Sequence, residues 1–128
     1  MEKIEEYLSS IKTLIILDSH IVHWSVLREE IYEKKGFYRY RLKLKDESFI
    51  EAFEYFIIIE NEIRTVKYSF HWQDKSGKLI KRWDNAPHHP EIETFPHHLH
   101  LNDEKNVQPH QPINLIKLIE SFTENFIN

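Results

Sequence analysis

Nine histidines occur in the chain, and His71, His88, His89, His97, His98 and His100 all fall within one stretch of thirty residues. Imidazole titrates nearest neutral pH, so it serves as acid, base or metal ligand. Packing alone rarely asks for that density. The same stretch carries Arg82 and Asp84 two positions apart, followed by the turn-forming run Asn85-Ala86-Pro87. Two chemistries fit this inventory. In the first, one imidazole takes the 2′-hydroxyl proton of RNA, another protonates the leaving 5′ oxygen, and Arg82 meets the charge that builds on the phosphate. Asp84 then orients an imidazole or fixes Arg82. In the second, His98 and His100 project from one face of an extended segment, with Cα atoms about 6–7 Å apart. Joined by His88 or His89, they would hold a divalent metal. There is no HExxH motif. The expectation is therefore a metal-free site without a cofactor, in which His71, Arg82, Asp84, His88, His98 and His100 converge on one exposed pocket. A divalent metal at the histidine cluster is the alternative. The plain reading of Arg82 and Asp84 is a salt bridge within a strand or turn. His97 falls on the opposite side of such a strand, and His20, His23 and His110 read as structural or exposed.

A second feature is a row of basic residues. Arg39, Arg41, Lys43 and Lys45 alternate with Tyr38, Tyr40, Leu42 and Leu44. Period-2 alternation puts the cations on one side of a strand and the apolar residues on the other. Such a row is a candidate phosphate track, which Lys67 would join from a neighbouring strand. It is also what a charged outer face that blocks edge-to-edge aggregation looks like. Formal net charge is −4, which argues mildly against nucleic acid. The distribution says otherwise, because a basic middle is flanked by acidic ends and local fields outweigh the total. Trp72 and Trp83 are candidates for base stacking, but their alternation fits core positions better.

These residues need elements to position them. Ile4, Leu8, Ile11 and Ile15 recur at helical spacing, so a helix is expected from about Lys3 to Ile11; Leu14 to Leu17 suits helix or strand. His20 to Ile31 reads as a strand with Val22, Trp24 and Val26 on one face. Tyr38 to Lys45 is a strand, Asp46-Glu47-Ser48 a turn, and Phe49 to Ile59 a central strand apolar on both faces, with Glu54 interrupting one of them. In Ile63 to Gln73, Val66, Tyr68, Phe70 and Trp72 point one way, and Thr65, Lys67, Ser69, His71 and Gln73 the other. Asp74 to Gly77 makes a hairpin turn into the strand Lys78 to Asp84. All five prolines lie between 87 and 112, which predicts an irregular arm. Pro112 then opens a final helix whose stripe is Leu115, Leu118, Ile119, Phe122 and Phe126. The expected architecture is α+β, one domain over residues 1–128, with an antiparallel meander of four or five strands and a helix at each end. The length suits one core. The apolar runs are too short to span a bilayer, the N-terminus is not a secretory signal, and there is no cysteine, so a cytoplasmic location is expected.

Three strings carry a resemblance: Tyr68-Ser69-Phe70-His71-Trp72-Gln73-Asp74, Arg82-Trp83-Asp84-Asn85-Ala86-Pro87-His88-His89, and Phe95-Pro96-His97-His98-Leu99-His100. Together with a looser match over Arg39 to Glu54, they make residues 38–100 resemble the TumE-type family, small prokaryotic proteins described as toxins of toxin–antitoxin pairs. The resemblance implies a growth inhibitor encoded beside a helix-turn-helix-type antitoxin, and RNA cleavage is the usual activity of small toxins of this size. The reading is thus a toxin-like protein that binds and cleaves RNA by histidine acid–base chemistry. His71, Arg82, Asp84, His88, His98 and His100 would be catalytic, and Arg39, Arg41, Lys43, Lys45 and Lys67 would bind the nucleic acid. Two other classes remain open: a non-catalytic nucleic-acid-binding or regulatory module, and a metal-dependent hydrolase.

Overall fold

The computed structural model describes residues 2–122. In chain order these form α1 (Glu2–Leu17), β1 (Ile21–Ile31), β2 (Lys35–Leu44), β3 (Phe49–Ile59), β4 (Glu62–Gln73), β5 (Leu79–Asp84), β6 (His98–Leu101), β7 (Val107–Pro109) and α2 (Leu115–Glu120). The strands make one antiparallel sheet in the order β1-β2-β3-β4-β5-β6-β7, so each pairs with its neighbours in sequence. The class is α+β with a helix near each end, as expected. The sheet has seven strands, not four or five. The two additional strands come from the proline-rich arm read as irregular. They are four and three residues long, too short for a periodic signal, and they exist because β5 offers an unpaired edge for β6 to join.

One face of the sheet is the core. Tyr38, Tyr40, Leu42, Leu44, Ile50, Ala52, Phe56, Tyr68, Phe70, Trp72 and Trp83 are buried there, together with Ile4, Leu8, Ile11 and Ile15 of α1 and Leu115, Leu118, Ile119 and Phe122 at α2. The spacing in α1 is the expected stripe, but the helix continues through Leu14 to Leu17 rather than ending near Ile11. Burying each large aliphatic or aromatic side chain stabilises by roughly 1.5–3 kcal/mol, so both helices are held by this face. Asn114 caps α2 by accepting from the Lys117 amide at 2.8 Å; Phe126, assigned to the same stripe, lies outside the described residues. Trp72 and Trp83 belong to the core and are not open for stacking. Gly36 is required on β2, because an added Cβ would meet the Glu30 carbonyl and the Phe56 ring at 3.0 Å.

Three expectations change on contact with the sheet. β3 is not covered on both sides: Ile50, Ala52, Glu54 and Phe56 are buried, whereas Phe49, Phe53 and Tyr55 are half-exposed on the outer face. Its continuous hydrophobicity reflects aromatics on an open surface, not a second covering layer. Glu54 occupies the core face, fully buried, and accepts hydrogen bonds from Tyr7 and Thr65. Burial pushes its carboxyl above the ordinary range, against the hydrogen bonds that favour the charged form. The Tyr38 hydroxyl lies close enough to feel that carboxylate but has no hydrogen-bond partner of its own among the described residues. Thr65 reaches Glu54 because a bulge between Tyr55 and Phe56 of the β3–β4 ladder makes Val66 the extra residue. The bulge puts Thr65 on the face of Glu54, where it stays exposed, breaking the strict alternation expected from Thr65 to Gln73. On β1, Trp24 packs edge-on against Tyr40, but Val22 and Val26 stay exposed because β1 is the sheet edge and is bulged at both places.

Candidate functional site

The outer face of the sheet, opposite the helices, gathers the polar residues. Antiparallel partners share a face, so the register can be followed across it. One row runs Arg41–Glu51–His71–Arg82–His100, and the next runs Arg39–Phe53–Ser69–Asp84–His98. Lys43 lies beside Phe49 and Lys67 beside Tyr55 on the same face. Arg39, Arg41, Lys43, Lys67, His71, Arg82, Asp84, His98 and His100 are therefore all brought onto one surface. Lys45 sits just beyond the end of β2, exposed, with its amide bonded to the His20 carbonyl.

At one end of this face the arm folds back and builds a closed polar cluster. The chain leaves β5 through Asn85, whose side chain accepts from the Tyr68 amide and donates to the Val66 carbonyl, both at 3.0 Å. That bidentate contact stands in for ladder bonds where β4 is bulged. The arm then returns through Thr94, which ties the His97 carbonyl and the His110 amide together. His97 stacks on Tyr68 at the core side and bonds its hydroxyl. Burial, with the neighbouring His98 second, lowers its pKa. His98 and His100, on β6, point outward into the cluster but are only 2% and 4% exposed, and Asp84 only 6%. The expected convergence of these three with Arg82 is present, but beneath the arm rather than in an open pocket.

The hydrogen bonds assign roles within the cluster. His98 directs Nδ1 at the Pro96 carbonyl (2.9 Å) and Nε2 at Asp84 Oδ1 (3.0 Å). Both partners are acceptors. His100 directs Nδ1 at the Glu104 carbonyl (2.8 Å), while Nε2 faces Arg82 Nη2 at 3.0 Å. A guanidinium only donates, so His100 is the neutral Nδ1–H tautomer with its Nε2 lone pair accepting. Burial lowers the His100 pKa, and Arg82 adds to that, against the Glu104 carbonyl and Asp84, which favour the charged form. Arg82 also donates through Nε to Asp84 (3.1 Å) and through Nη1 to Glu104 (2.9 Å). The salt bridge read from Arg82 and Asp84 is thus present, as part of a larger network. His89 packs edge-to-face against His98 and His100, with ring centroids at 4.9 and 5.9 Å. His88, the expected member, is exposed, its amide bonded to the Ala86 carbonyl. Nothing in a His-His pair at the start of an irregular arm tells which imidazole turns inward. Glu104 was not singled out either, since its role depends on the tight return between β6 and β7.

The rest of the outer face is basic and aromatic. Arg28 lies over Phe37, Arg39 over Phe53 and Arg41 over Phe49, with guanidinium-to-centroid distances of 5.1, 4.8 and 4.2 Å. Arg28, Tyr32, Phe37, Arg39, Phe53 and Tyr55 line a depression of about 490 Å³. A second, of about 280 Å³, lies beside Arg41, Lys43 and Phe49. Arg39 is paired with Glu51 at 3.1 Å, whereas Arg41, Lys43 and Lys67 form no ion pair among the described residues. Sequence reasoning placed the cations but missed Phe37, Phe53 and Tyr55. For Phe53 and Tyr55 the signal was the alternation of β3 with aromatics on odd positions, obscured by Ile57 and Ile59 on the same parity.

The family model described as Toxin TumE matches residues 11–127, nearly the whole chain. No curated protein and no solved structure matches it.

Proposed function

From the premise that this chain belongs to the Toxin TumE family, we propose that it is the toxin of a toxin–antitoxin pair that binds single-stranded RNA across the outer sheet face and cleaves it beside His71. One observation carries the reading: arginine and aromatic side chains interleave over that face, with the imidazoles at one end of it. Aromatic rings accept bases of any sequence by stacking, and the cations between them follow the phosphates. This pattern suits a single strand, whose bases are free to stack, better than a duplex.

In the proposed reaction His71 takes the proton from the 2′ oxygen, that oxygen forms a bond to phosphorus, and the bond to the 5′ oxygen breaks as it receives a proton from His89, the half-exposed imidazole of the cluster. Arg82, held by Asp84 and Glu104, lies next to His71 in the ladder, where it can meet the developing phosphorane charge. His98, His100 and Asp84 serve by fixing Arg82 and the arm. Membership implies an antitoxin partner. We take that partner to be a helix-turn-helix-type protein that neutralises by covering this basic face, with both acting in the cytoplasm. No helix among the described residues is long and apolar enough to cross a membrane.

The test is purified chain with single-stranded RNA, the same RNA carrying a 2′-deoxy substitution at the cleaved position, and duplex RNA. Cleavage of the first alone is expected, with His71→Ala lowering the rate about 10²-fold or more and Phe53→Ala weakening binding by about 1–3 kcal/mol. A gel shift without cleavage would leave a nucleic-acid-binding module. Absence of both, from a folded chain that still arrests growth, would sink the RNA reading.

A further inference from the structure

We propose that His89, His98 and His100 form a binding site for a divalent transition-metal ion, with Asp84 available as a fourth ligand. One ligand nitrogen from each imidazole lies within 4.8 Å of the others. In a tetrahedral site with metal–nitrogen bonds of about 2.1 Å, ligand atoms stand about 3.4 Å apart. The longest separation must therefore shrink by about 1.4 Å, which small side-chain rotations supply.

Orientation argues more strongly than proximity. His98 and His100 both direct Nδ1 at backbone carbonyls, of Pro96 and Glu104, and both aim Nε2 at Asp84, at 3.0 and 3.6 Å. Metal-ligating histidines are usually held this way, with the outer nitrogen fixed by a carbonyl and the inner one left to the ion. Both rings sit on alternate residues of a short strand, so the sheet presets their spacing. The ring planes cross at 70–76° in each pair, so the rings do not stack side by side. Three converging imidazoles would repel one another if protonated, and a single cation removes that conflict. Three imidazoles with one carboxylate suit zinc, cobalt or nickel rather than magnesium or calcium. Where Asp84 stays with Arg82 instead, three imidazoles leave the fourth position for water or a phosphate oxygen.

Binding has two consequences for neighbours. Arg82 Nη2, now 3.0 Å from His100 Nε2, must leave that lone pair, and its remaining contact with Glu104 holds it at the outer face. Ligation needs a free lone pair on each imidazole, so uptake weakens as pH falls. The site itself does not depend on the RNA reading. Only its use as a Lewis acid toward phosphate does.

The decisive experiment titrates the full chain, without a histidine tag and stripped with EDTA, with Zn²⁺ by calorimetry and with Co²⁺ by absorption spectroscopy, in the absence of RNA. One equivalent is expected, with a tetrahedral cobalt spectrum and a raised thermal midpoint. His89→Ala, at the half-exposed edge of the cluster, should keep the fold and weaken binding at least 100-fold. His88→Ala should leave the metal affinity unchanged. Lack of stoichiometric binding, or equal loss on His88→Ala and His89→Ala, overturns the site. RNA binding and cleavage by the stripped chain are scored separately, so cleavage that persists in EDTA would leave the RNA reading standing whatever the metal result.

Discussion

Replacing Arg41, Lys43 and Lys67 together by Gln is expected to flatten the salt dependence of RNA binding. The choice follows from the ion pairs. Arg39 already has Glu51 at 3.1 Å, so part of its charge is spent before RNA arrives. Arg41, Lys43 and Lys67 have no such partner among the described residues, and each should release one counterion's share on meeting a phosphate. For single strands that share is about 0.7 in the slope of log affinity against log salt. Three lost contacts therefore reduce the slope by about 2, which over a fourfold rise in salt is a difference of about 16-fold in how far affinity falls. Arg39→Gln alone should change the slope by clearly less than Arg41→Gln. Fluorescence anisotropy with labelled single-stranded RNA at several salt concentrations reads this directly, with circular dichroism as the control for fold. Neutral substitutions are used because Gln keeps most of the stem that packs on Phe49 and its neighbours. An unchanged slope in a folded triple variant would mean that these cations are a solvated face, and the argument from the outer surface would fail.

Two further outcomes concern the polar groups that the fold encloses. Asp84→Ala leaves Arg82 and His98 without their shared acceptor in a nearly closed site. A loss of about 3–5 kcal/mol is expected in urea unfolding, and a loss under 1 kcal/mol would show that the arm is not held through this network. Glu54 makes the opposite kind of statement. Burial raises its folded-state pKa above the ordinary 4.5, so the native chain holds a proton that the unfolded chain has lost. Its stabilising contribution is complete below pH 4.5 and disappears as pH rises through the raised value. Glu54→Gln should remove that decline, and melting profiles across this range that run parallel for both proteins would contradict it.

What the sequence determined by itself was the set of short-range alternations. Tyr38 to Lys45 placed four cations against four apolar residues because a strand's side chains must alternate, whatever it packs on. The spacing of Ile4, Leu8, Ile11 and Ile15 made a helix for the same local reason, and the match of residues 11–127 to one toxin family is the wider expression of the three strings around His71, Asp84 and His98. Tertiary structure decided whatever depends on partners distant in the chain. His98-Leu99-His100-Leu101 becomes a strand because the open edge of β5 receives it. Thr65 shares the face of Glu54 and reaches it because a bulge shifts the register. His89, not His88, joins the cluster because the arm's return path sets which imidazole faces the sheet. Phe53 and Tyr55 remain at the surface because both helices pack on the opposite face. A residue's neighbours along the chain fix its direction from the strand, but only the completed sheet fixes what lies in that direction.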